Sequence, residues 1–233
     1  MPRACFVTAT DTGVGKTILA AAITAGLAAA GVAVKARKPI VTGTGKHGRA
    51  AGDQLDQLDD DQLLATLSGE RPARVAYARY EPAVSPHLAA ELGGTQLDVP
   101  AIIEELRSTA ADAEALVVEG IGGLLVPLAP NWDVRGLAAA LGLPVLIAAR
   151  PGLGTLNHTL LTLEAARRSA LDVRAVVLTP WPAEPDEIER SNRATIARLG
   201  EVEVATLPRL AAVTRATLTA AAGALDYERG LAS

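Results

Sequence analysis

The sequence Thr10-Asp11-Thr12-Gly13-Val14-Gly15-Lys16-Thr17 follows an apolar segment and precedes a helical pattern. This order of strand, loop and helix is the context that a phosphate-binding P-loop needs. Gly13 and Gly15 allow a tight turn that aims backbone N–H groups at phosphate oxygens, and the helix N-terminus adds partial positive charge. We expect Lys16 to reach the β and γ phosphates and the Thr17 hydroxyl to hold Mg²⁺. The strict motif has a glycine at position 10, where this chain has threonine, so the prediction depends on the second half of the motif and on its setting.

Two charged residues farther along the chain would complete such a site. Glu119 ends an apolar segment, and a carboxylate at the end of a neighbouring strand completes the Mg²⁺ shell of P-loop proteins. Lys38 follows the second predicted strand, and an ammonium there could stabilise charge on a transferring phosphoryl group. Either residue alone could equally be an ordinary charge at a strand end, so the prediction depends on their combination with the P-loop.

Short apolar runs alternate with longer helical patterns along the chain. We predict strands at Ala4–Thr8, Val32–Arg37, Ala115–Val118, Pro144–Ala148, Val173–Leu178 and Glu203–Leu207. We predict helices at Lys16–Ala30, Asp61–Leu67, Val99–Ala110, Val134–Leu141, Thr155–Ala170, Glu187–Leu199 and Ala211–Ala222. This alternation indicates a P-loop NTPase-like α/β fold, with a mostly parallel sheet and helices on both faces. The polar segments 43–61 and 79–94 are predicted as loops, and loops at the carboxyl ends of strands are where such sheets bind ligands.

The composition limits the classes of function. The 233 residues are 49% hydrophobic and 21% charged, which is typical of a globular protein. The net charge of −4 gives no electrostatic argument for a nucleic-acid partner. Cys5 is the only cysteine, so no internal disulfide can form. Because the chain starts without a signal-peptide pattern and has no run of about 18 apolar residues, we expect a cytoplasmic protein with no membrane partner.

Five motifs, taken in order, resemble the dethiobiotin synthetase family. They are the P-loop, Lys38-Pro39-Ile40-Val41-Thr42-Gly43, Ser85-Pro86-His87, Glu119-Gly120-Ile121-Gly122-Gly123 and Leu153-Gly154-Thr155-Leu156-Asn157-His158. The resemblance spans residues 6–210, and it implies a single domain over residues 1–233 and a homodimer. It also implies a Mg²⁺-dependent ligase of biotin biosynthesis with ATP or another nucleoside triphosphate as co-substrate.

The reaction that the resemblance implies starts from 7,8-diaminopelargonate, a carboxylic acid with two adjacent amines. CO₂ adds to one amine to give a carbamate, which the γ-phosphoryl group activates as a carbamic–phosphoric anhydride. The second amine then closes a cyclic urea, and phosphate leaves. Lys16, Lys38 and a Mg²⁺ ion would offset the repulsion between the carbamate and triphosphate oxygens.

The resemblance also assigns site residues. Lys38 and Lys16 are the expected catalytic residues, and Thr17, Asp60 and Glu119 the expected metal ligands. Asp60 fits the position best, but Asp59 and Asp61 remain alternatives. The expected nucleotide-binding residues are Gly13, Val14, Gly15, Lys16, Thr17, Ile18, Asp60, Glu119, Gly120, Ile121, Gly122, Thr179, Pro180, Pro208, Arg209 and Leu210. The expected substrate-binding residues are Thr12, Lys38, Thr42, Ser85, Pro86, Gly154, Thr155, Leu156 and Asn157.

The chain departs from the family pattern at two places. Ile121 stands where alanine is usual, which adds bulk to a crowded turn. Thr179-Pro180-Trp181 stands where many members carry an Asn-Asp pair whose amide reads the adenine edge. A threonine can make one hydrogen bond there but not the bidentate pair of an amide. We therefore predict relaxed base selection, with CTP or GTP competing with ATP.

Three other classes of protein agree less well with the sequence. A partitioning or membrane-positioning ATPase of the same fold carries an additional lysine five residues before the P-loop lysine, where this chain has Asp11. An amidotransferase-type ligase needs a glutaminase domain with a catalytic cysteine, and Cys5 lies inside a predicted strand. A binding module that holds nucleotide only for stability is disfavoured by the combination of Lys38, Asp60 and Glu119.

Overall fold

A computed structural model of the protein describes residues 3–45 and 55–225. Its strands are β1 (Arg3–Ala9), β2 (Val34–Arg37), β3 (Ile40–Thr42), β4 (Ala78–Tyr80), β5 (Ala115–Glu119), β6 (Pro127–Ala129), β7 (Trp132–Asp133), β8 (Val145–Ala149), β9 (Val173–Trp181) and β10 (Glu203–Pro208). Its helices are α1 (Lys16–Ala29), α2 (Asp60–Ser68), α3 (Pro72–Val75), α4 (Pro86–Leu92), α5 (Val99–Asp112), α6 (Val134–Leu141), α7 (Thr155–Arg168), α8 (Glu187–Gly200) and α9 (Arg215–Ala222). The expectations for the first two residues and for residues 46–54 of the 43–61 segment lie outside the described residues.

The central sheet has the strand order β10-β9-β8-β1-β5-β2, and every neighbouring pair in it is parallel. β1 lies between β5 and β8, with Cys5 opposite Val117 and Ala9 opposite Ala148. Because all six strands run in the same direction, their carboxyl ends meet at one edge, and the loop after β1 lies in the middle of that edge. The prediction of a P-loop NTPase-like fold with a mostly parallel sheet is confirmed.

Helices cover both faces of this sheet, and β1 shows how the two core layers are divided. Cys5, Val7 and Ala9 belong to one buried cluster, which includes Leu19 and Ile23 of α1. Ala4 and Phe6 belong to the other cluster, with residues of α5, α6, α7 and α8. Side chains of a strand point alternately to opposite faces, so a continuous apolar run contributes to both layers. Each fully buried large aliphatic or aromatic side chain stabilises the fold by about 1.5–3 kcal/mol.

The prediction of a loop over residues 79–94 is wrong in two places. The segment begins within β4, which pairs in parallel with β3 in a separate two-stranded sheet. It also contains α4, in which Pro86 occupies the first turn. A proline at that position loses no helical hydrogen bond, because the first N–H groups of a helix have no partner within it. The prolines therefore mark a helix start as well as a turn.

Helix α9 starts later than predicted. The pattern from Ala211 onward was apolar enough for a helix, but the observed helix begins at Arg215 because Thr214 caps it and accepts a hydrogen bond from the Thr217 N–H. In the parts of the chain that the structure describes, no helix is both long enough and apolar enough to span a membrane.

Candidate active site

The P-loop connects β1 to α1 at the carboxyl edge of the sheet. Gly15 precedes the helix with a φ of 97°, a conformation that favours glycine. A Cβ atom on Gly15 would also lie 2.8 Å from Cγ2 and 3.0 Å from Oγ1 of Thr179. Lys16 and Thr17 open α1, and Lys16 is buried. The loop therefore has the two features that anion binding needs, a tight glycine turn and a helix N-terminus.

Four side chains from four separate parts of the chain meet in front of this loop. Lys38, just after β2, places Nζ 2.5 Å from Oε1 of Glu119 and 2.7 Å from Oδ2 of Asp60. The Thr17 hydroxyl donates to the same Glu119 oxygen at 2.8 Å. Lys38 and Glu119 are buried, whereas 41% of the Asp60 side chain is exposed. The arrangement joins a hydroxyl, two carboxylates and an ammonium at the P-loop.

The protonation of this cluster follows from burial and from its charges. Burial alone would lower the pKa of Lys38, but Glu119 and Asp60 outweigh that effect and raise it above the usual range. Burial raises the pKa of Glu119, and Lys38 only partly counteracts this. Burial and the neighbouring charge of Lys38 lower the pKa of Lys16. Burial would raise the pKa of Asp60, but Lys38 reverses this and lowers it. Lys38 is therefore an ammonium at neutral pH, able to stabilise negative charge and unable to accept a proton.

The three consecutive aspartates at the start of α2 have different partners. Arg79 of β4 donates to Asp59 at 2.8 Å and also contacts the fully buried Asp61. Asp60, between them, faces Lys38. The structure therefore separates the three alternatives by their contacts, because Asp60 alone faces Lys38 whereas its two neighbours share Arg79.

A cavity of about 380 Å³ lies over this cluster. Its lining includes residues from the P-loop, from the segment after β2, from α2 and from the turn after β5. These are Thr12, Gly13, Gly15, Lys16, Thr17, Ile18, Lys38, Thr42, Asp60, Ile121 and Gly122. All eleven were expected site residues, so the structure brings a large part of the predicted set together.

Some expected residues lie behind or beside this cavity. Val14 is buried in the core, and Gly120 packs against Phe6 and Val134. Gly122 has a φ of 60°, and a Cβ atom there would meet Val126 at 2.7 Å. The glycines of this turn are thus needed for close packing, while Ile121 faces the cavity without blocking it.

The expected base-reading segments lie at the ends of β9 and β10. Thr179 is only 2% exposed, and its side chain packs at Gly15. The segment containing Pro208, Arg209 and Leu210 is joined to β9 through the Arg209 N–H, which donates to the Trp181 carbonyl at 2.8 Å. Trp181 itself packs partly against the core. Pro180 follows Thr179 in the same strand.

A second cleft, of about 460 Å³, adjoins the first one at Thr12, which lines both. Asp11, Leu125, His158 and Leu161 are among its other lining residues. It lies beside the start of α7, where Thr155 is buried and Asn157 is exposed. The expected substrate residues Ser85, Pro86, Gly154, Leu156 and Asn157 line neither cleft. Ser85 is the N-cap of α4, and Gly154 the N-cap of α7.

The donor set fits a magnesium ion bound together with phosphates. Thr17, Asp60 and Glu119 offer only oxygen ligands, which Mg²⁺ prefers. The second carboxylate oxygen of Glu119, Oε2, is buried without a hydrogen-bond partner among the described residues. Within residues 3–45 and 55–225, no three His, Cys, Asp or Glu side chains are grouped as a metal site. Two carboxylates and a hydroxyl would leave room for phosphate oxygens and water in the shell.

Sequence reasoning missed Arg79, whose role is visible only in its contacts. A signal was present, since three consecutive aspartates concentrate negative charge, and a buried carboxylate among them would need a cationic partner. Nothing in the spacing indicated which of the arginines would supply it.

Comparisons with known proteins show the family to which the chain belongs. A family model described as an AAA domain matches residues 3–217. An ATP-dependent dethiobiotin synthetase of Anaeromyxobacter sp. (strain Fw109-5) is 42% identical over 211 residues, which are 86% of this chain and 91% of the relative. One of Mycobacterium sp. (strain KMS) is 39% identical over 201 residues, which are 85% of each chain.

Among solved structures, a ParA family ATPase from Chlorobium tepidum TLS matches with a TM-score of 0.55 and 13% identity, covering 98% of this chain and 93% of that one. At this identity the likeness shows the fold alone. The dethiobiotin synthetases are 39% and 42% identical to this chain, so the hypothesis of a partitioning ATPase is less well supported. The chain belongs to the family of ATP-dependent dethiobiotin synthetases, the ligases of biotin biosynthesis that use ATP as co-substrate.

Proposed function

We propose that the chain forms dethiobiotin from 7,8-diaminopelargonate, CO₂ and ATP in the cavity over the P-loop. The observation that carries this proposal is the position of the Lys38 ammonium, 2.5 Å from Glu119 and 2.7 Å from Asp60, in front of Lys16 and Thr17. A buried cation beside the P-loop would reduce the repulsion between two anions, a carbamate and a triphosphate, that must approach each other in this reaction.

The route that we propose needs no covalent bond to the protein. One amine of the substrate adds to CO₂ and loses a proton to give a carbamate. A carbamate oxygen then attacks the γ-phosphorus, and ADP leaves. The second amine attacks the carbamoyl carbon of the anhydride, phosphate leaves, and a cyclic urea remains. Lys16 and Lys38 lower the barrier by positioning the anions and offsetting their charge, because both side chains are fixed in a buried site.

The metal ligands that we propose are Thr17, Asp60 and Glu119. A Mg²⁺ ion held by these groups would supply positive charge to the phosphate oxygens during transfer. The oxygen-only donor set supports this assignment, as does Oε2 of Glu119, for which residues 3–45 and 55–225 provide no hydrogen-bond partner.

The nucleotide phosphates would be bound by Gly13, Gly15, Lys16 and Thr17, while Ile18, Ile121 and Gly122 line the cavity beside them. The base would lie near Thr179 and Pro180 on one side and near the segment 208–210 on the other. The reacting end of the diamine would contact Thr12, Lys38 and Thr42. Support for these assignments comes from the shared cavity and from the contact between Thr179 and Gly15.

We further propose a cytoplasmic homodimer of single-domain subunits. The side chains of Leu125 and Leu161, which line the cleft beside Thr12, are exposed. Exposed apolar patches rimmed by polar residues are typical of subunit interfaces. Ser85, Pro86 and residues 154–157, which lie outside both clefts, would bind the substrate tail in the assembled enzyme. Light scattering coupled to size exclusion tests the dimer, and a monomeric mass at micromolar concentration would contradict it.

The decisive experiment measures phosphate release with 7,8-diaminopelargonate, bicarbonate and Mg²⁺, and detects the product by mass. ATP, CTP and GTP are used in parallel. Release that needs the diamine, with a product that has gained the mass of a cyclic urea, is the expected result. Nucleotide hydrolysis that is indifferent to the diamine would leave only the nucleotide site and would favour a switch ATPase.

A further inference from the structure

Arg79 forms ion pairs with both of the aspartates that flank Asp60. One guanidinium nitrogen lies 2.8 Å from Oδ2 of Asp59, and the other contacts Oδ2 of Asp61. Asp59 and Asp61 are both buried, and Oδ1 of Asp61 has no hydrogen-bond partner among the described residues. The buried carboxylate of Asp61 therefore depends on Arg79 for its charge compensation.

The geometry of α2 makes this contact relevant to Asp60. Asp59 is the N-cap of α2 and Asp61 its second residue, so a cation that contacts both of them restrains the start of the helix around Asp60. The Asp60 side chain does not contact Arg79 in this arrangement and instead meets Lys38 at 2.7 Å. The helix start is further fixed because the Asp59 N–H donates to the Gln62 side chain at 3.2 Å.

Arg79 also connects α2 to the segment that carries Lys38. It lies in β4 opposite Val41 of β3, and β3 directly follows Lys38-Pro39. The same guanidinium thus fixes the distance between the strand after Lys38 and the helix that begins with Asp60. A lysine would hold the two carboxylates less firmly, because the guanidinium offers a separate nitrogen to each of them in a fixed plane whereas an ammonium offers a single nitrogen.

We propose that Arg79 is a positioning residue: by forming ion pairs with Asp59 and Asp61, it orients the Asp60 carboxylate toward Lys38 and the metal. This inference rests on the proposed function, since that function assigns Asp60 to the metal. It predicts that Arg79 acts on the affinity for the metal–nucleotide complex through Asp60 alone.

The test measures Mn²⁺ affinity by electron paramagnetic resonance with a non-hydrolysable ATP analogue and no diamine. Its outcome is therefore independent of which product the enzyme makes. Arg79→Gln is expected to weaken Mn²⁺ binding by about 10- to 100-fold, the range found for groups that orient metal ligands. Arg79→Lys should recover only part of this loss. In an Asp60→Asn background, which binds Mn²⁺ through the remaining ligands, Arg79→Gln should have no further effect.

Arg135→Lys is the matched control. Arg135 is as exposed as Arg79, at 35%, and pairs at 3.0 Å with Asp133, the N-cap of α6. Its replacement should leave Mn²⁺ affinity unchanged. Mn²⁺ affinity that stays at the wild-type value in Arg79→Gln, despite a lower melting temperature, would overturn the proposal, as would an equal loss in the Asp60→Asn background. If Arg79→Gln does not fold, Arg79→Lys decides, and wild-type affinity in that variant overturns the proposal.

Discussion

Nζ of Lys38 lies 2.5 Å from Oε1 of Glu119, and both side chains are shielded from solvent. Taking either charge out of water is costly, and the mutual attraction of the pair compensates only because both partners are present. The ammonium is thereby held in front of the P-loop without depending on bound nucleotide.

Replacing Lys38 with alanine tests its catalytic role. We expect Lys38→Ala to lower kcat by about 10²- to 10³-fold, the usual effect of removing one preorganised group that stabilises transition-state charge. Circular dichroism should show the same fold and ADP titration should show retained nucleotide binding, although the variant loses stability because Glu119 is left buried without its partner. Lys35→Ala is the control, because Lys35 lies in β2, the strand that precedes Lys38, and lines a groove away from the P-loop. Near-normal turnover in Lys38→Ala would show that the assigned role is wrong.

A methyl group at Gly15 tests the contact between the P-loop and β9. We expect Gly15→Ala to lower the free energy of unfolding by about 1–3 kcal/mol from backbone strain, with an added loss from the clash with Thr179. Gly13→Ala has a similar φ of 72° and no atom within 4 Å of the new Cβ, so it reports strain alone. Thr179→Ala should restore part of the stability of Gly15→Ala. Equal losses in the two glycine variants, without rescue, would exclude the contact as a cause.

Base selection tests the consequence of having threonine at position 179. Its side chain is 2% exposed and packs against Gly15, so it offers little to a base. One neutral hydrogen bond contributes about 1 kcal/mol, which is less than tenfold in rate. We therefore expect single-turnover rates with ATP, CTP and GTP to lie within about tenfold of one another. A steep fall for every nucleotide except ATP would contradict this prediction.

The buried thiol of Cys5 predicts a pH dependence of stability. Burial raises its pKa from 9.0 to about 12, so the folded state keeps a proton that the unfolded state releases. The contribution of this buried thiol to the free energy of unfolding is fully present below pH 9 and is lost as the pH rises toward 12. The expected slope is about −1.4 kcal/mol per pH unit in that window. It is measured as the difference between wild type and Cys5→Ala in guanidinium unfolding, which cancels the titration of other groups. Parallel curves for the two proteins would contradict the prediction.

The sequence was sufficient for the central sheet because the strands that flank the site are continuous apolar runs. Phosphate chemistry likewise requires a glycine turn followed by Lys16 and Thr17, a pattern that can be read locally. The short strands β3 and β4 were missed, since three residues have no period of their own and their pairing is decided by tertiary contacts. Which of the three aspartates faces Lys38 is also decided by tertiary contacts, so the sequence alone could not identify Asp60. Its determinant, Arg79, is separated from it by helices and turns.

The strand order has a consequence for the way the chain is made. β1 is synthesised before both of its neighbours in the sheet, Ala115–Glu119 and Val145–Ala149. Its backbone therefore stays without strand partners until the ribosome has made these later segments, although α1 follows it directly. Contacts of such sequence separation form slowly, and an unpaired apolar strand is prone to aggregate in the meantime. The strand that precedes the P-loop is therefore a segment of the nascent chain that chaperones would protect until the sheet forms.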